Sequence, residues 1–348
     1  MHTQYNLILS AGVMSRYSGA ENTLVLFSEF SISDQMRSVL DSVFDKVYIA
    51  RDRFYKPVSE LDDIKEIRRC LRRVKALRKE RFDHIYMSQE RIFDLVLCAW
   101  AKKNNPAARC YNIEEDAYYS INEKLNAEDY RYSESSRAKR NRFLRAMLLW
   151  GYPYNYRDIH YCYGMSSEYH GANLLFPKLA RREMQGKELL EITKQELLTG
   201  INTLYKEQSV EYPEGKKYTL FFFDLMNRYK NPENVKELVL EIIKASTKEG
   251  RTVLFKYHPR ETEKFTAMEN TYELPSIIPA EKVLYDLKNS DTIVVGNATT
   301  SCVVAAKLGY KVISICKMEM PDNKKMHTAM EKMNIQCIEN IRGIEKYI

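Results

Sequence analysis

The chain has 348 residues, and its 54 Lys and Arg against 47 Asp and Glu give a formal net charge of +7. The length predicts two domains of ~100–200 residues each, and 45% hydrophobic and 11% aromatic residues predict packed cores and exclude a disordered chain. Seven cysteines without a Cys-x-x-Cys pair argue against a disulfide framework and a structural zinc site, and favour a reducing compartment.

Hydropathy along the chain predicts a cytoplasmic protein. The first residues carry no basic segment followed by a long apolar stretch, so we expect no secretory signal. The longest uncharged apolar runs, such as 218–223, have the length of a strand and fall far short of the ~18–20 residues that cross a bilayer. Any membrane contact is therefore expected to be peripheral, at the inner face of the plasma membrane.

Short apolar runs rich in β-branched and aromatic residues alternate with segments of helical length. They predict strands at 5–9, 24–27, 47–50, 84–87, 109–113, 159–163, 218–223, 252–257, 292–295 and 312–316. This alternation is typical of βαβ units around parallel sheets. The clearest unit joins the strand at 219–223 to a helix over 232–247, in which Val235, Leu238 and Val239 have helical spacing and after which Gly250 marks the end.

The pattern changes to a charged helical stretch between about residues 176 and 214. We interpret 176–215 as a helical linker between an N-terminal α/β domain, 1–175, and a C-terminal α/β domain, 216–348. The predicted fold class is α/β, with two Rossmann-like domains that face a cleft. Ligands of such open sheets bind beyond the carboxyl ends of the strands, so the residues directly after the strands are the candidates for function.

A basic segment covers residues 65–81. Ile64, Ile67, Leu71 and Val74 fall on one face, which predicts an amphipathic helix with a cationic outer side. Such a side suits anionic lipid headgroups or nucleic acid, and a solvated surface is the alternative. No recognised nucleic-acid module accompanies the segment, so we expect no nucleic-acid partner.

Three consecutive acids, Glu114, Glu115 and Asp116, follow the predicted strand at 109–113. A carboxylate there suits a general base for an acceptor hydroxyl, because the charge of its neighbours would raise its pKa toward a usable value. Coordination of Mg²⁺ and a solvated loop are the alternatives. Asp224, at the end of the strand 218–223, is a further candidate base.

His258 follows the predicted strand at 252–257 and precedes Pro259, with Lys256 and Arg260 beside it. Proline fixes its own φ and biases the preceding residue away from helical geometry, which holds the imidazole at the carboxyl edge of the sheet. The cluster suits a phosphate, to which an imidazole can donate a proton near neutral pH. A His-Pro turn that only ends the strand is the alternative.

Two further segments suit the remaining parts of a nucleotide. The turn from Asn297 to Thr300 and Ser301 leads into a predicted helix, whose free N–H groups and hydroxyls suit a phosphate, with N-capping as the alternative. Between the two, Pro279 and Glu281 begin a short predicted helix. Glu281 suits a ribose diol, and compensation of the helix dipole is its alternative role.

The order of these motifs resembles that of the bacterial sialyltransferases of the lipooligosaccharide and capsular type and, more distantly, of the polysialyltransferases. In those families an acidic pair followed by glycine precedes an HP motif and then a Ser/Thr pair. Here His258-Pro259 resembles the HP motif and Thr300-Ser301 the hydroxyl pair, with Pro279-Ala280-Glu281 between them. Glu115-Asp116 resembles the acidic pair, although Ala117 replaces the glycine; Glu114-Glu115 is the other register.

The resemblance implies a GT-B fold and metal-independent transfer, with inversion and without a cofactor, from CMP-sialic acid. The acceptor would be a hydroxyl, expected on galactose, of a lipooligosaccharide, O-antigen or capsule glycan. Glu115 would be the base and His258 the group that receives the leaving phosphate, with Glu114, Asp116 and Asp224 as alternative bases. The expected donor-binding residues are Lys256, Pro259, Pro279, Glu281, Asn297, Thr300 and Ser301.

Other functions fit the same residues. Within the transferases they are transfer of another CMP-linked acid, such as Kdo or legionaminic acid, and CDP-glycerol phosphotransfer. A non-catalytic basic protein that binds RNA or lipid belongs to a different class, and it would bind in a strongly salt-dependent manner and ignore CMP.

Overall fold

A computed structural model describes residues 1–53, 55–56, 58–115, 143, 146–148, 164–265, 268–341 and 344–348. The chain divides into two compact units, Met1–Leu204 and Tyr205–Ile348. The sequence places a linker over 176–215, whereas in the structure a strand and a helix within that range belong to unit 1. No helix among the described residues is long and apolar enough to cross a membrane.

Unit 1 contains parallel strands between helices. Its elements are α1 (Gln4–Met14), β1 (Thr23–Ser28), α2 (Asp34–Val43), β2 (Lys46–Asp52), α3 (Glu60–Arg73), β3 (His84–Met87), α4 (Ile92–Asn104), β4 (Arg109–Ile113), β5 (Gly171–Leu174), β6 (Glu188–Glu191) and α5 (Lys194–Tyr205), whose last residue already belongs to unit 2. β1 pairs with β2, and β3, β4, β5 and β6 form a four-stranded parallel sheet in that order. The predicted strand at 159–163 lies outside the described residues.

The predicted strand at 5–9 is wrong, because these residues lie in α1. Thr3 caps this helix: its side chain accepts from the N–H of Asn6, and the Asn6 side chain accepts from the N–H of Thr3. Every residue from Tyr5 to Val13 is buried. A short run that is apolar on all sides fits a buried helix as well as a buried strand, and periodicity does not separate the two.

The basic segment is amphipathic, as predicted, but its α-helix ends at Arg73. A 3₁₀ turn, Lys75–Lys79, continues it. Ile67 and Val74 are buried in the core of unit 1, whereas Lys65, Arg68 and Arg72 are exposed. The cationic side therefore faces solvent.

Unit 2 is built on one six-stranded parallel sheet. Its elements are β7 (Lys217–Phe222), α6 (Pro232–Lys248), β8 (Thr252–Lys256), β9 (Thr271–Glu273), α7 (Ala280–Asp286), β10 (Asp291–Gly296), α8 (Thr300–Leu308), β11 (Lys311–Ser314), α9 (Cys316–Glu319), α10 (Lys324–Lys332) and β12 (Ile335–Cys337). The strand order is β12-β11-β10-β7-β8-β9, which confirms the predicted βαβ pattern for this half.

The predicted helix at 232–247 is confirmed as α6. Asn231 caps it by accepting from the N–H of Asn234, and Pro232 occupies the first turn, where no intrahelical N–H bond is lost. Val235, Leu238 and Val239 pack in the same buried cluster as Phe221 of β7 and Val253 of β8. The helix thus covers the middle of the sheet and leaves its carboxyl edge to the loops.

Candidate active site

Strand register aligns the ends of four strands of unit 2 in one row. Lys256 of β8 pairs with Phe222 of β7, Phe222 with Gly296 of β10, and Gly296 with Ser314 of β11. Because neighbouring strands lie ~4.8 Å apart, the ends of β8 and β10 are separated by about 10 Å. The loops that carry His258 and the 297–301 turn therefore leave the same edge of the sheet.

His258 begins a turn whose hydrogen bonds orient its ring. The N–H of Glu261 donates to the carbonyl of His258 at 2.9 Å, and the N–H of Arg260 donates to His258 Nδ1 at 3.1 Å. Pro259 lies inside this turn, where its fixed φ is favourable. Since Nδ1 accepts, the proton of the neutral ring is on Nε2. Nε2 has no hydrogen-bond partner within the part of the chain that the structure describes.

The surroundings of His258 keep it neutral. Burial lowers the pKa of the imidazole, the positive charges of Arg228, Arg260 and Lys256 lower it further, and the Asp224 carboxylate opposes them. The ring can donate from Nε2 without a charge of its own. An arriving anion would therefore meet a neutral donor within a cationic neighbourhood.

Asp224 follows β7, and one of its carboxylate oxygens accepts two hydrogen bonds. Its Oδ1 accepts from the N–H of Leu225 at 2.8 Å and from Arg228 Nη1 at 3.2 Å. Glu261, to which the sequence gives no role, accepts from the N–H of Met226 at 2.6 Å through Oε2. The loops after β7 and β8 are thus tied together, and Asp224 lies in the electrostatic surroundings of His258.

The turn after β10 caps α8 with a residue other than the predicted pair. Thr299 is the N-cap, and its side chain accepts from the N–H of Cys302 at 3.4 Å. Asn297 Oδ1 accepts from the N–H of Ala298 at 2.8 Å, which folds the turn. Thr300 and Ser301 form the first turn of α8, and among the described residues Ser301 has no partner for its hydroxyl. Capping of α8 therefore does not use the Ser301 hydroxyl.

Lys256 and Glu281 are buried near each other. Lys256 is 4% exposed, and its Nζ donates to the carbonyls of Tyr257 at 3.3 Å and Ser276 at 3.1 Å. Burial lowers the pKa of Lys256 to about 8, and the Glu281 charge opposes this. Burial raises the pKa of Glu281, which lies two positions after the α7 cap Pro279 and is 6% exposed.

The candidate acids of unit 1 differ in their contacts. Both carboxylate oxygens of Glu114 accept hydrogen bonds, from the Tyr5 hydroxyl at 2.9 Å and from the N–H of Leu175 at 3.2 Å, and the residue is 2% exposed. Glu115 is partly exposed and accepts from Gln89 Nε2. Asp116 lies outside the described residues. The geometry separates a fully bonded carboxylate from a more accessible one.

Sequence reasoning missed Ser88 and Gln89, which follow β3 at the same edge as Glu115. Both residues are 1% exposed, and Ser88 Oγ and Gln89 Oε1 are buried without a hydrogen-bond partner in the described part of unit 1. A buried polar atom without a partner costs ~1–3 kcal/mol. The available signal was their position directly after a strand, which is the rule that selected the acids.

A family model for the alpha-2,8-polysialyltransferases matches residues 4–317. The chain belongs to this family. The match spans both units, so this polysialyltransferase-family protein is a sialyltransferase-type glycosyltransferase, for which a nucleotide-sugar donor and a glycan acceptor are implied. No curated protein matches the chain.

Solved structures show that this family member has a GT-B fold, as predicted. The glycosyltransferase of kitacinnamycin matches with a TM-score of 0.55 and 12% identity, over 98% of this chain and 86% of that one. A Listeria monocytogenes protein assigned as a UDP-N-acetylglucosamine 2-epimerase matches with a TM-score of 0.59 and 11% identity, over 99% of this chain and 85% of that one. The Methanocaldococcus jannaschii UDP-GlcNAc 2-epimerase, solved with UDP-GlcNAc and UDP, matches with a TM-score of 0.50 and 10% identity, over 100% of this chain and 91% of that one. At such identities the likeness concerns the fold alone.

Proposed function

We propose that the protein transfers sialic acid from CMP-sialic acid to the hydroxyl of a glycan, with inversion at the anomeric carbon and without a metal. The family match supports the sialyl group as the transferred sugar. The observation that carries the proposed site is the strand register, which aligns the ends of β8 and β10. His258 and the Asn297–Ser301 turn are thereby candidates to hold one phosphate.

The departing CMP phosphate is the centre of the proposed mechanism. Nε2 of His258 donates to a phosphate oxygen, while the N-terminus of α8 and the hydroxyls of Thr300 and Ser301 stabilise the remaining charge. Asn297 shapes the turn and Pro259 the His258 loop. Pro279 and Glu281 are proposed to meet the ribose, and Lys256 adds positive charge behind His258.

The proposed base is Glu115. It removes the proton of the attacking hydroxyl, a contribution of ~10²–10⁴ in rate. The two hydrogen bonds on Glu114 favour a structural role for that residue, so Glu114 is a weaker candidate. Asp224 and Asp116 stay as alternatives, and Asp224 is better placed to act on the charge of His258.

The acceptor we favour is a chain that itself ends in sialic acid, because the matching family is described as alpha-2,8-polysialyltransferase. The galactose hydroxyl expected from sequence is the alternative. The test is incubation with CMP-sialic acid, EDTA and either disialyl-lactose or lactose as acceptor, followed by mass spectrometry of the products. We expect added sialic acid units on the sialylated acceptor. Transfer to neither acceptor, together with calorimetry that shows no CMP binding, would overturn the proposal.

A peripheral membrane position is part of the proposed function, since the glycan acceptors named above are surface polymers. Val58 is 95% exposed and Leu61 is 67% exposed, and both lie beside the cations of α3, Lys65, Arg68 and Arg72. Exposed apolar side chains next to cations suit an anionic bilayer surface. Vesicles of phosphatidylglycerol should co-sediment the protein at low salt and phosphatidylcholine vesicles should not. A Leu61→Ser variant should sediment less, and equal binding to both vesicle types would contradict the assignment.

A further inference from the structure

We propose that Lys256 is a positioning residue that joins the His258 loop to the loop preceding α7. Its ammonium donates to the carbonyl of Tyr257, the residue before His258, and to the carbonyl of Ser276, three residues before Pro279. One side chain therefore fixes two backbone segments that both carry proposed CMP contacts. The inference rests on the proposed function for the identity of the ligand and on the two hydrogen bonds for the link.

The energetic cost of this arrangement argues that it serves a purpose. Lys256 is 4% exposed, and no carboxylate lies within hydrogen-bonding distance of its Nζ among the described residues. A buried ammonium whose hydrogen bonds go only to neutral carbonyls is expensive, and an apolar residue of similar length would avoid that cost. Lys282 of α7, the other lysine that is buried among the described residues, instead pairs with Asp286 at 2.5 Å.

The titratable groups around Lys256 come from several elements of unit 2. Glu281 of α7 faces Lys256 with an opposite charge, and the neutral His258 follows it in the β8 loop. The hydroxyl of Tyr205, the first residue of unit 2, is buried without a hydrogen-bond partner in the described chain and faces Glu281. Burial lowers the pKa of Lys256 to about 8. The ammonium loses its proton above that pH, and the neutral amine is a weaker donor to both carbonyls.

The experiment measures CMP affinity by calorimetry at pH 7 and pH 9 for the wild type, Lys256→Arg, Lys256→Met and the control Lys282→Met. If only the protein with a charged Lys256 binds CMP well, the apparent Kd is inversely proportional to the fraction of protein in which Lys256 is charged. With a pKa of about 8 that fraction falls about tenfold from pH 7 to pH 9, so the Kd should rise about tenfold. Lys256→Arg should lose much less affinity than the wild type between pH 7 and pH 9, because a guanidinium stays charged and only the proton taken up by His258 on CMP binding, which both proteins share, still contributes. Lys256→Met should bind weakly at both, and Lys282→Met should follow the wild type.

Hydrogen exchange of the same variants separates failure of this inference from failure of the proposed function. In Lys256→Met, segments 257–261 and 275–279 should exchange faster together, with or without CMP, while α6 stays protected. If both segments exchange faster in Lys256→Met but the wild type does not bind CMP, Lys256 still joins the two loops and the proposed function is overturned. A wild-type Kd that is equal at pH 7 and pH 9, with unchanged exchange in Lys256→Met, would overturn the inference and leave CMP binding intact.

Discussion

The N–H of Arg260 donates to Nδ1 of His258 at 3.1 Å, and this one bond decides which ring nitrogen carries the proton. The same turn is closed by the N–H of Glu261 on the carbonyl of His258. The ring is therefore oriented by backbone two and three residues away, with no second side chain needed to select its tautomer. A neutral donor at Nε2 is the form that can approach an anion without first binding a proton.

Replacement of His258 by Ala should lower the rate of sialyl transfer by ~10²–10⁴, because the departing phosphate loses its donor. The ring is only half-buried, so we expect the melting temperature to change little. Transfer from CMP-sialic acid and a thermal melt measure the two effects. His84→Ala, an exposed histidine of unit 1, is the control and should behave as the wild type. Normal turnover in His258→Ala would remove the residue from the mechanism.

The pKa of His258 should rise when CMP binds. In the free protein burial holds it below the ordinary value of 6.5. The charged imidazolium is therefore disfavoured by folding, so stability is full above about pH 6.5 and declines as pH falls through the lowered pKa. A phosphate beside the ring reverses the electrostatic effect. Titration of the histidine signals by NMR, with and without CMP and with His258→Ala to assign the signal, measures the shift; an unchanged titration midpoint would argue against contact with the phosphate.

Thr299 and Ser301 should give opposite results when each is changed to Ala. Thr299 caps α8, so its loss should cost ~1 kcal/mol of stability. The Ser301 hydroxyl bonds to nothing among the described residues, so its removal should leave stability unchanged and weaken CMP binding. Chemical denaturation and calorimetry separate the effects. Equal CMP affinity in wild type and Ser301→Ala would show that this hydroxyl does not touch the phosphate.

Glu114→Gln and Glu115→Gln should fail in different ways. An amide at position 114 keeps only one acceptor oxygen, so either the N–H of Leu175 or the hydroxyl proton of Tyr5 loses its acceptor, which should cost ~1–3 kcal/mol of stability. Glu115→Gln should fold normally and bind CMP normally but lose transfer, since it lacks the base. Denaturation curves, CMP calorimetry and transfer assays on both variants test this. A fully active Glu115→Gln would return Asp116 and Asp224 to consideration as the base.

Gly200→Ala should destabilise unit 1. A Cβ at Gly200 of α5 would lie 2.1 Å from the carbonyl oxygen of Ile8 in α1, and a Cβ at Gly12 of α1 would lie 2.5 Å from the carbonyl oxygen of Glu196. Because both obstacles are backbone, the helices would have to separate, at a cost of ~1–3 kcal/mol. Gly186→Ala, where a Cβ meets nothing within 4 Å, is the matched control. Equal denaturation midpoints for the two variants would contradict the close packing of α1 and α5.

Local pattern alone located most of the second half of the chain. β7 and α6 follow from their hydrophobic periodicity, and the ends of α6 follow from its Asn cap, the Pro in its first turn and the Gly after its last turn. All of these signals act over a few residues. The same logic placed His258, Asn297 and Glu281 after strands or at helix starts. It did not find β5 and β6, because strands of four residues, one of them Gly-Ala-Asn-Leu, carry little β-propensity.

Tertiary contacts decided what local pattern left open. Glu114 and Glu115 are equivalent in sequence, and only bonds to Tyr5, 109 residues away, and to Leu175, 61 residues away, set Glu114 apart. The run at 5–9 suits burial as a strand or as a helix, and in the structure it forms α1, in which every residue from Tyr5 to Val13 is buried. In sequence, Lys256 resembles a phosphate ligand beside His258. In the structure its ammonium donates instead to the carbonyl of Ser276, 20 residues away in sequence. Sequence determines which side chains stand at the ends of strands, whereas packing between distant segments determines which of their polar atoms are already bonded.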